Sequence, residues 1–328
     1  MMKAIVYTKY GAADVLSLKE VEKPTPKYNE VLIHIHAASV NSWDWDLLRG
    51  TPFLVRIGGF LKPKYKILGA DVAGRVEAVG KDVKQFQPGD EVFGDISGCG
   101  WGGFAEYVCA DENALSLKPA GMAFDEAAAL PQAAVLALQG LRYKGRIQKG
   151  KKVLINGAGG GVGTFAVQIA KCCGAEVTGV DITRKLDMLR SIGADHVIDY
   201  TQTDFIKNGQ RYDLILDVVG TRSIFDYKRA LNPKGTYVMV GGSMARIFQL
   251  MLLGPWISRM SSKKMGILIH KPNKEDLNVM KELVEADKVV PVIDRHYRLT
   301  EVAEALQYLG DGHPQGKVII KIDRHGSP

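Results

Sequence analysis

The chain has 328 residues, 46% hydrophobic and 24% charged, with a net charge of +7. That length is too great for one ordinary core, so two domains are expected, and the composition excludes a disordered or collagen-like chain. The longest apolar stretch, IFQLMLLGPWI (247–257), is too short to cross a bilayer, and no basic block or aromatic–basic interleaving points to a nucleic-acid partner. The cysteines Cys99, Cys109, Cys172 and Cys173 form no C-x-x-C pair, and MMKAIVYTKYG at the N-terminus has no apolar signal-peptide core. A reducing, cytoplasmic setting is therefore expected.

Residues 1–121 read as short strands separated by glycine- and proline-rich turns: KAIVYT, EVLIHIHAASV, DVAGRVEAVG and AEYVCA. Strands of this spacing predict a partly open barrel. His34 and His36 are two apart on one strand face, but no third ligand is suggested nearby, so they read as ordinary strand histidines. The texture changes after 121. DEAAALPQAAVLALQGL (125–141) reads as one helix-rich apolar stretch, and strands and helices alternate from 152 to about 272. That alternation predicts a doubly wound parallel sheet.

The first strand of the series runs into VLINGAGGGVG (153–163) and then a helix, TFAVQIAKCCG. Strand, glycine-rich turn and helix start together let backbone N–H groups and a helix N-terminus approach a pyrophosphate. The best register is Ala158 for the tight turn, Gly160 for close approach to phosphate and Gly163 for packing of helix on strand, with Gly161 and Val162 between them. The next strand, EVTGV, ends in Asp181, about 20 residues on, where a carboxylate for the adenine ribose is expected. Further strands are HVIDY, DLILDVVG, GTYVMVGG and MGILIH (265–270). An amphipathic helix over 274–287, a helix over 300–309 and a strand GKVIIKI (316–322) read as a return to the first domain.

The ordered set AASVNSWDW (37–45), ILGADVAGRVEAVG (67–80), FQPGDEVFG (86–94), GGFAEYV (102–108), AAALPQAA (127–134), INGAGGGVGTFAVQIAK (155–171), SIGADHVIDY (191–200), DVVG (217–220) and GKVIIKI resembles the medium-chain dehydrogenase/reductase superfamily, most closely its zinc-free quinone oxidoreductase branch. The resemblance covers nearly the whole chain. It implies an α/β protein, a Rossmann doubly wound parallel sheet (122–272) plus a GroES-like β-rich catalytic domain built from both chain ends (1–121 and 273–328). Where zinc relatives carry a cysteine this chain has Asn41, and their Gly-His-Glu triplet is Gly69, Ala70, Asp71, so no metal is expected.

The resemblance further implies NAD(P)H-dependent hydride delivery to a quinone or α,β-unsaturated carbonyl, with a small lipophilic or aromatic carbonyl compound as substrate. Alternatives are a zinc-free dehydrogenase of another small alcohol or acyl thioester, and a non-catalytic cofactor-binding regulatory protein. Asn41, Asp44 and Trp45 of the first loop are the implied catalytic residues. Asn41 orients a carbonyl or the nicotinamide ribose, Asp44 serves in proton transfer or in structure, and Trp43 with Trp45 walls a flat substrate or simply packs. Gly241 and Gly242 lie beside the nicotinamide. Arg184, Lys185 and Tyr200 stand where NADPH users contact phosphate, yet Asp181 opposes a 2′-phosphate and tips the reading narrowly to NADH.

Relatives dimerise through the last Rossmann strand, so a homodimer through 265–270 is expected. Segment 246–266 is apolar with Arg246, Arg259, Lys263 and Lys264 around it. It reads as a lid over a lipophilic acceptor in preference to a peripheral membrane contact, with plain core packing as the alternative.

Overall fold

A computed structural model describes residues 1–56 and 59–322. In chain order the elements are β1 (Met2–Val6), β2 (Ser17–Val21), β3 (Glu30–Val40), α1 (Ser42–Arg49), β4 (Asp71–Val79), β5 (Glu91–Asp95), β6 (Tyr107–Asp111), β7 (Leu115–Leu117), α2 (Phe124–Ala129) and α3 (Pro131–Leu138). Next come β8 (Lys152–Asn156), α4 (Gly161–Cys172), β9 (Glu176–Asp181), α5 (Leu186–Ser191), β10 (His196–Asp199), β11 (Tyr212–Asp217), α6 (Ile224–Ala230), β12 (Leu231–Met239), α7 (Met244–Met260) and β13 (Lys264–Ile267). The chain closes with α8 (Lys274–Glu285), β14 (Ile293–Arg298), α9 (Val302–Gly310) and β15 (Lys317–Lys321).

The chain divides into two compact units, one of residues 1–133, 272–285 and 293–328, the other of 134–271 and 286–292. The division falls after Ala133 rather than at 121, because α2 packs on β3, β4 and β15 of the first unit. The Gln132 N–H also donates to Asp71 at 3.1 Å. Residues 286–292 join the second unit, where the Val290 N–H and carbonyl both bond the Gln168 amide. The helix-rich stretch 125–141 is divided into α2 and α3 at Leu130–Pro131. Proline has no N–H to continue the ladder and instead starts α3 as its first residue.

In the first unit a seven-stranded sheet has the order β14-β15-β3-β4-β5-β7, with β6 also paired to β3, and β1 and β2 form a separate hairpin sheet. The alternating apolar residues of β3, β4 and β15 (Val31, Ile33, Ile35, Val72, Val76, Val318, Ile320) are buried together with Leu48 of α1 and Leu306 of α9. His34 stacks on Tyr107 and His36 on Phe124, so both are packed into ring contacts.

The second unit is a six-stranded sheet, β10-β9-β8-β11-β12-β13, parallel throughout. The first strand of the series, β8, lies at the centre and the order reverses between β8 and β11, the switch point where such sheets bind dinucleotides. At the far edge β13 ends at Ile267, short of the expected 270. The Gln139 amide donates to the Lys271 carbonyl at 2.8 Å and accepts from its N–H, drawing the chain off the sheet.

Candidate active site

In the second unit, β8 delivers the glycine loop to the switch point. The left-handed turn is made by Gly157 (φ 81°), not by Ala158, which is fully buried. A left-handed backbone favours the residue without a Cβ, so the register of the turn lies one residue earlier than expected. The Gly157 and Ala158 N–H groups both donate to the Val180 carbonyl. A Cβ on Gly163 would lie 2.2 Å from the Gly157 carbonyl oxygen, which shows how closely α4 packs on the loop. A Cβ on Gly160 would meet nothing closer than that same oxygen at 3.7 Å. Nothing in the fold itself requires glycine at 160, and the space left open at the start of α4 is the cradle a pyrophosphate needs. The residues present fit a dinucleotide.

Asp181 is buried at the end of β9. Its carboxylate accepts from the Gly159 N–H at 2.8 Å and the Ile182 N–H at 2.9 Å, and Lys185 lies 3.7 Å away. The Tyr200 N–H donates to the Asp181 carbonyl, which holds the half-exposed Tyr200 ring close by, while Arg184 is exposed. The structure thus gathers Asp181, Lys185 and Tyr200 beside the loop. The turns after β11 and β12 also meet: a Cβ on Gly220 would lie 2.4 Å from the Gly241 carbonyl oxygen and 2.6 Å from the Gly242 Cα. Asp217 fixes this corner, accepting from Asn156 Nδ2 (2.8 Å), the Gly220 N–H (2.9 Å) and the Tyr237 hydroxyl (2.8 Å). Burial, then the Asp217 charge, pushes the pKa of Tyr227 and of Tyr237 well up, so both stay protonated. Sequence reasoning missed Asn156, Tyr227 and Tyr237.

In the first unit, Asn41 caps α1 and is 7% exposed. Its Nδ2 donates to Asp71 at 2.9 Å, and its Oδ1 accepts from Lys317 Nζ at 2.5 Å. Asp71 is fully buried, accepts from Ser39 Oγ at 3.0 Å, and lies 3.7 Å from Lys317 Nζ. Burial drives the Asp71 carboxyl up and the Lys317 ammonium down, and each partner's charge pulls the other back toward its ionised form. Lys317 was missed as a site residue. GKVIIKI holds two lysines, Lys317 and Lys321, and nothing in the sequence tells the buried one from the exposed one.

Asp44 is fully buried and spent on backbone: one oxygen accepts from the Asn41 N–H and the other from the Gly69 N–H, both at 2.8 Å. Burial pushes its pKa up to about 7, against the pull of those two bonds. It acts as a clamp between α1 and the Gly69 turn. Trp45 packs inward on α9, its ring where a Cβ on Gly310 would come within 2.4 Å. Trp43 is 57% exposed and lies parallel to Trp101, with ring centroids 6.5 Å apart, while Tyr65 tilts against Trp101 from 6.0 Å.

The positions that hold zinc in related dehydrogenases do not fit a metal ion. The Asn41 amide is committed to Asp71 and Lys317, Ala70 has no donor, and the Asp71 charge faces the Lys317 ammonium. Among the described residues no group of three or more His, Cys, Asp or Glu converges as a metal site.

A GroES-like β-rich unit and a parallel sheet with a dinucleotide cradle define a nicotinamide-dependent oxidoreductase. The comparisons agree. Residues 27–120 match the alcohol dehydrogenase GroES-like domain, and residues 192–320 match the zinc-binding dehydrogenase family. A chloroplast envelope quinone oxidoreductase homolog of Arabidopsis thaliana is 34% identical over 98% of both chains. A 2-methylene-furan-3-one reductase of Solanum lycopersicum is 35% identical over 97% of this chain and 79% of its own. The solved quinone oxidoreductase from Coxiella burnetii superposes with a TM-score of 0.87 at 30% identity, covering 98% of this chain and 99% of its own. The chain belongs to the medium-chain dehydrogenase/reductase superfamily, in its zinc-free quinone oxidoreductase branch.

Proposed function

We propose that the protein reduces quinones or α,β-unsaturated carbonyl compounds with NADH, without a metal. The observation that carries this is the buried Asn41–Asp71–Lys317 network in place of zinc ligands, together with the quinone and enone reductases among the relatives. The reduced nicotinamide, when bound, supplies the hydride. With no Lewis acid to acidify an alcohol, a conjugated acceptor is the natural substrate, because its π electrons move to the carbonyl oxygen and leave an enolate or hydroquinone that water can protonate. The Asn41 amide carries two N–H donors, and Asp71 takes one. Lys317 and Asp71 fix the amide's orientation so that the other is available to a carbonyl oxygen. Trp43 offers a flat apolar wall.

The cofactor preference rests on Asp181. Its carboxylate accepts from two backbone N–H groups, a carboxylate at the end of this strand disfavours a 2′-phosphate, and Lys185 offsets only part of its charge. NADH is therefore favoured by a modest margin, with Arg184 and Tyr200 at hand for NADPH. A C2 homodimer through β13 is part of the same reading, since β13 is an edge strand and an unpaired apolar edge invites pairing. Four cysteines without disulfides support a cytoplasmic setting. Assay of the purified protein against a panel of quinones and enones, with each reduced cofactor, tests the proposal. Turnover confined to simple alcohols or acyl thioesters would refute it, and so would cofactor binding without turnover on any acceptor.

A further inference from the structure

Helix α7 is apolar on every side. Leu250, Gly254 and Ile257 face the core of the second unit. The opposite face carries Phe248, Met251, Leu252, Trp256 and Met260, at the spacing of a helical stripe, all between half and three-quarters exposed. A helix apolar all round is ordinarily buried on all sides, and a contiguous exposed stripe of this kind marks a contact surface. Leu253, by contrast, packs against the core, so the plain packing role accounts for only one side of the helix.

The charge along the sequence around that stripe is of one sign, with Asp226 of α6 the nearest acid before it. From Tyr227 to Lys271 the chain has eight Lys or Arg and no Asp or Glu. The segment's +8 exceeds the +7 of the whole chain, so the remaining residues sum to −1. At the C-terminal end of α7, burial and then the like charges of Arg211 and Lys228 push the Lys263 pKa down. A cavity of about 640 Å³ opens beside Ser258 of α7, lined by Lys144, Arg146, Lys151, Lys234 and Lys264 against the single carboxylate of Asp213.

We propose that α7 is an in-plane anchor that seats the protein on an anionic phospholipid surface, its apolar stripe in the acyl boundary and the surrounding lysines and arginines among the head groups. Exposed apolar residues ringed by cations are the features that bind such interfaces. A protein so placed meets lipophilic acceptors where they concentrate, but the anchor stands independently of the acceptor's identity.

Flotation of the full chain with vesicles tests it, comparing phosphatidylcholine alone with phosphatidylcholine containing about one-third phosphatidylglycerol. The protein should float with the anionic vesicles, stay behind with the neutral ones, and be released by high salt. The double substitution Leu252→Ser, Trp256→Ser should weaken partitioning at least about tenfold while NADH affinity is unchanged. If that variant fails to fold, Arg259→Glu with Lys264→Glu, both exposed, should produce the same loss. Three results would overturn the anchor: no flotation of the unaltered protein, unchanged flotation of the variants, or an oligomer that falls apart on Leu252→Ser, Trp256→Ser while vesicle binding persists.

Discussion

Lys317 Nζ donates to Asn41 Oδ1 at 2.5 Å, a bond between residues 276 positions apart in the chain. The same ammonium is the only cation within salt-bridge distance of Asp71 among the described residues. Removing it leaves a buried carboxylate without its counter-charge. Lys317→Met should cost about 3–5 kcal/mol of stability at neutral pH, and Asp71→Asn in the Lys317→Met background should recover at least half. Urea unfolding of the two variants measures this. A loss below about 1 kcal/mol for Lys317→Met would show that the pair is not a stabilising unit.

Asp44 gives the fold a pH dependence of defined sign. Burial raises its folded pKa to about 7, above the unfolded value near 3.8. The folded state therefore holds the proton more tightly, and the stability this contributes is complete below about pH 4 and lost as pH rises through 7. The contribution is at most about 4 kcal/mol. Asp44→Asn cannot ionise, so its stability relative to the unaltered protein should improve steadily from pH 4 to pH 8. A difference that stays constant over that range would rule out the titration.

Two glycines of the dinucleotide loop should behave differently when given a methyl group. At Gly163 the Cβ collides with backbone, and Gly163→Ala should disrupt the loop and lower the melting temperature. At Gly160 it meets only space, so Gly160→Ala should melt as the unaltered protein does but bind NADH at least about tenfold more weakly, about 1.4 kcal/mol. Thermal melts paired with fluorescence titration of NADH distinguish the two. Equal NADH affinity in Gly160→Ala would place the pyrophosphate elsewhere.

The two tryptophans of α1 divide structure from substrate contact. Trp45→Ala removes a ring packed on α9 and should destabilise by about 2–4 kcal/mol. Trp43→Ala leaves the fold intact and should raise KM for aromatic quinones several-fold without changing KM for NADH. Identical kinetics in Trp43→Ala would remove it from the substrate site.

Asp181→Ser should shift preference toward NADPH by tenfold or more in the ratio of kcat/KM values, about 1.4 kcal/mol, because Lys185 is freed from its carboxylate. An unaltered protein that already favours NADPH tenfold would mean that Arg184 and Lys185 outweigh Asp181.

Local chemistry was legible in the sequence and distant pairing was not. The glycine loop, Asp181 and the strand–helix alternation are signals carried within about 30 residues, and β8, α4 and β9 lie where those signals put them. Lys317 could not be singled out, because it is one of two lysines in its strand and its partners, Asn41 at the start of α1 and Asp71 of β4, lie at the far end of the chain. For Asp44 the sequence left proton transfer and structure both open, and the two backbone N–H groups that its oxygens accept from, one of them 25 residues away, could not be read from it. Trp101 carried no periodic signal at all, since it lies in a left-handed turn (φ 67°) outside any strand or helix. The outward stripe of α7 was visible as apolar residues, but its direction depended on which side packed into the core.

The most direct test of metal-free hydride transfer is the steady-state loss of NADH absorbance with a simple quinone, measured on protein stripped by chelator and shown by elemental analysis to hold no zinc. The Asn41–Asp71–Lys317 network requires acceptor-dependent turnover at the rate of untreated protein. Stoichiometric zinc in the untreated protein, with turnover lost on its removal and restored on its return, would contradict it.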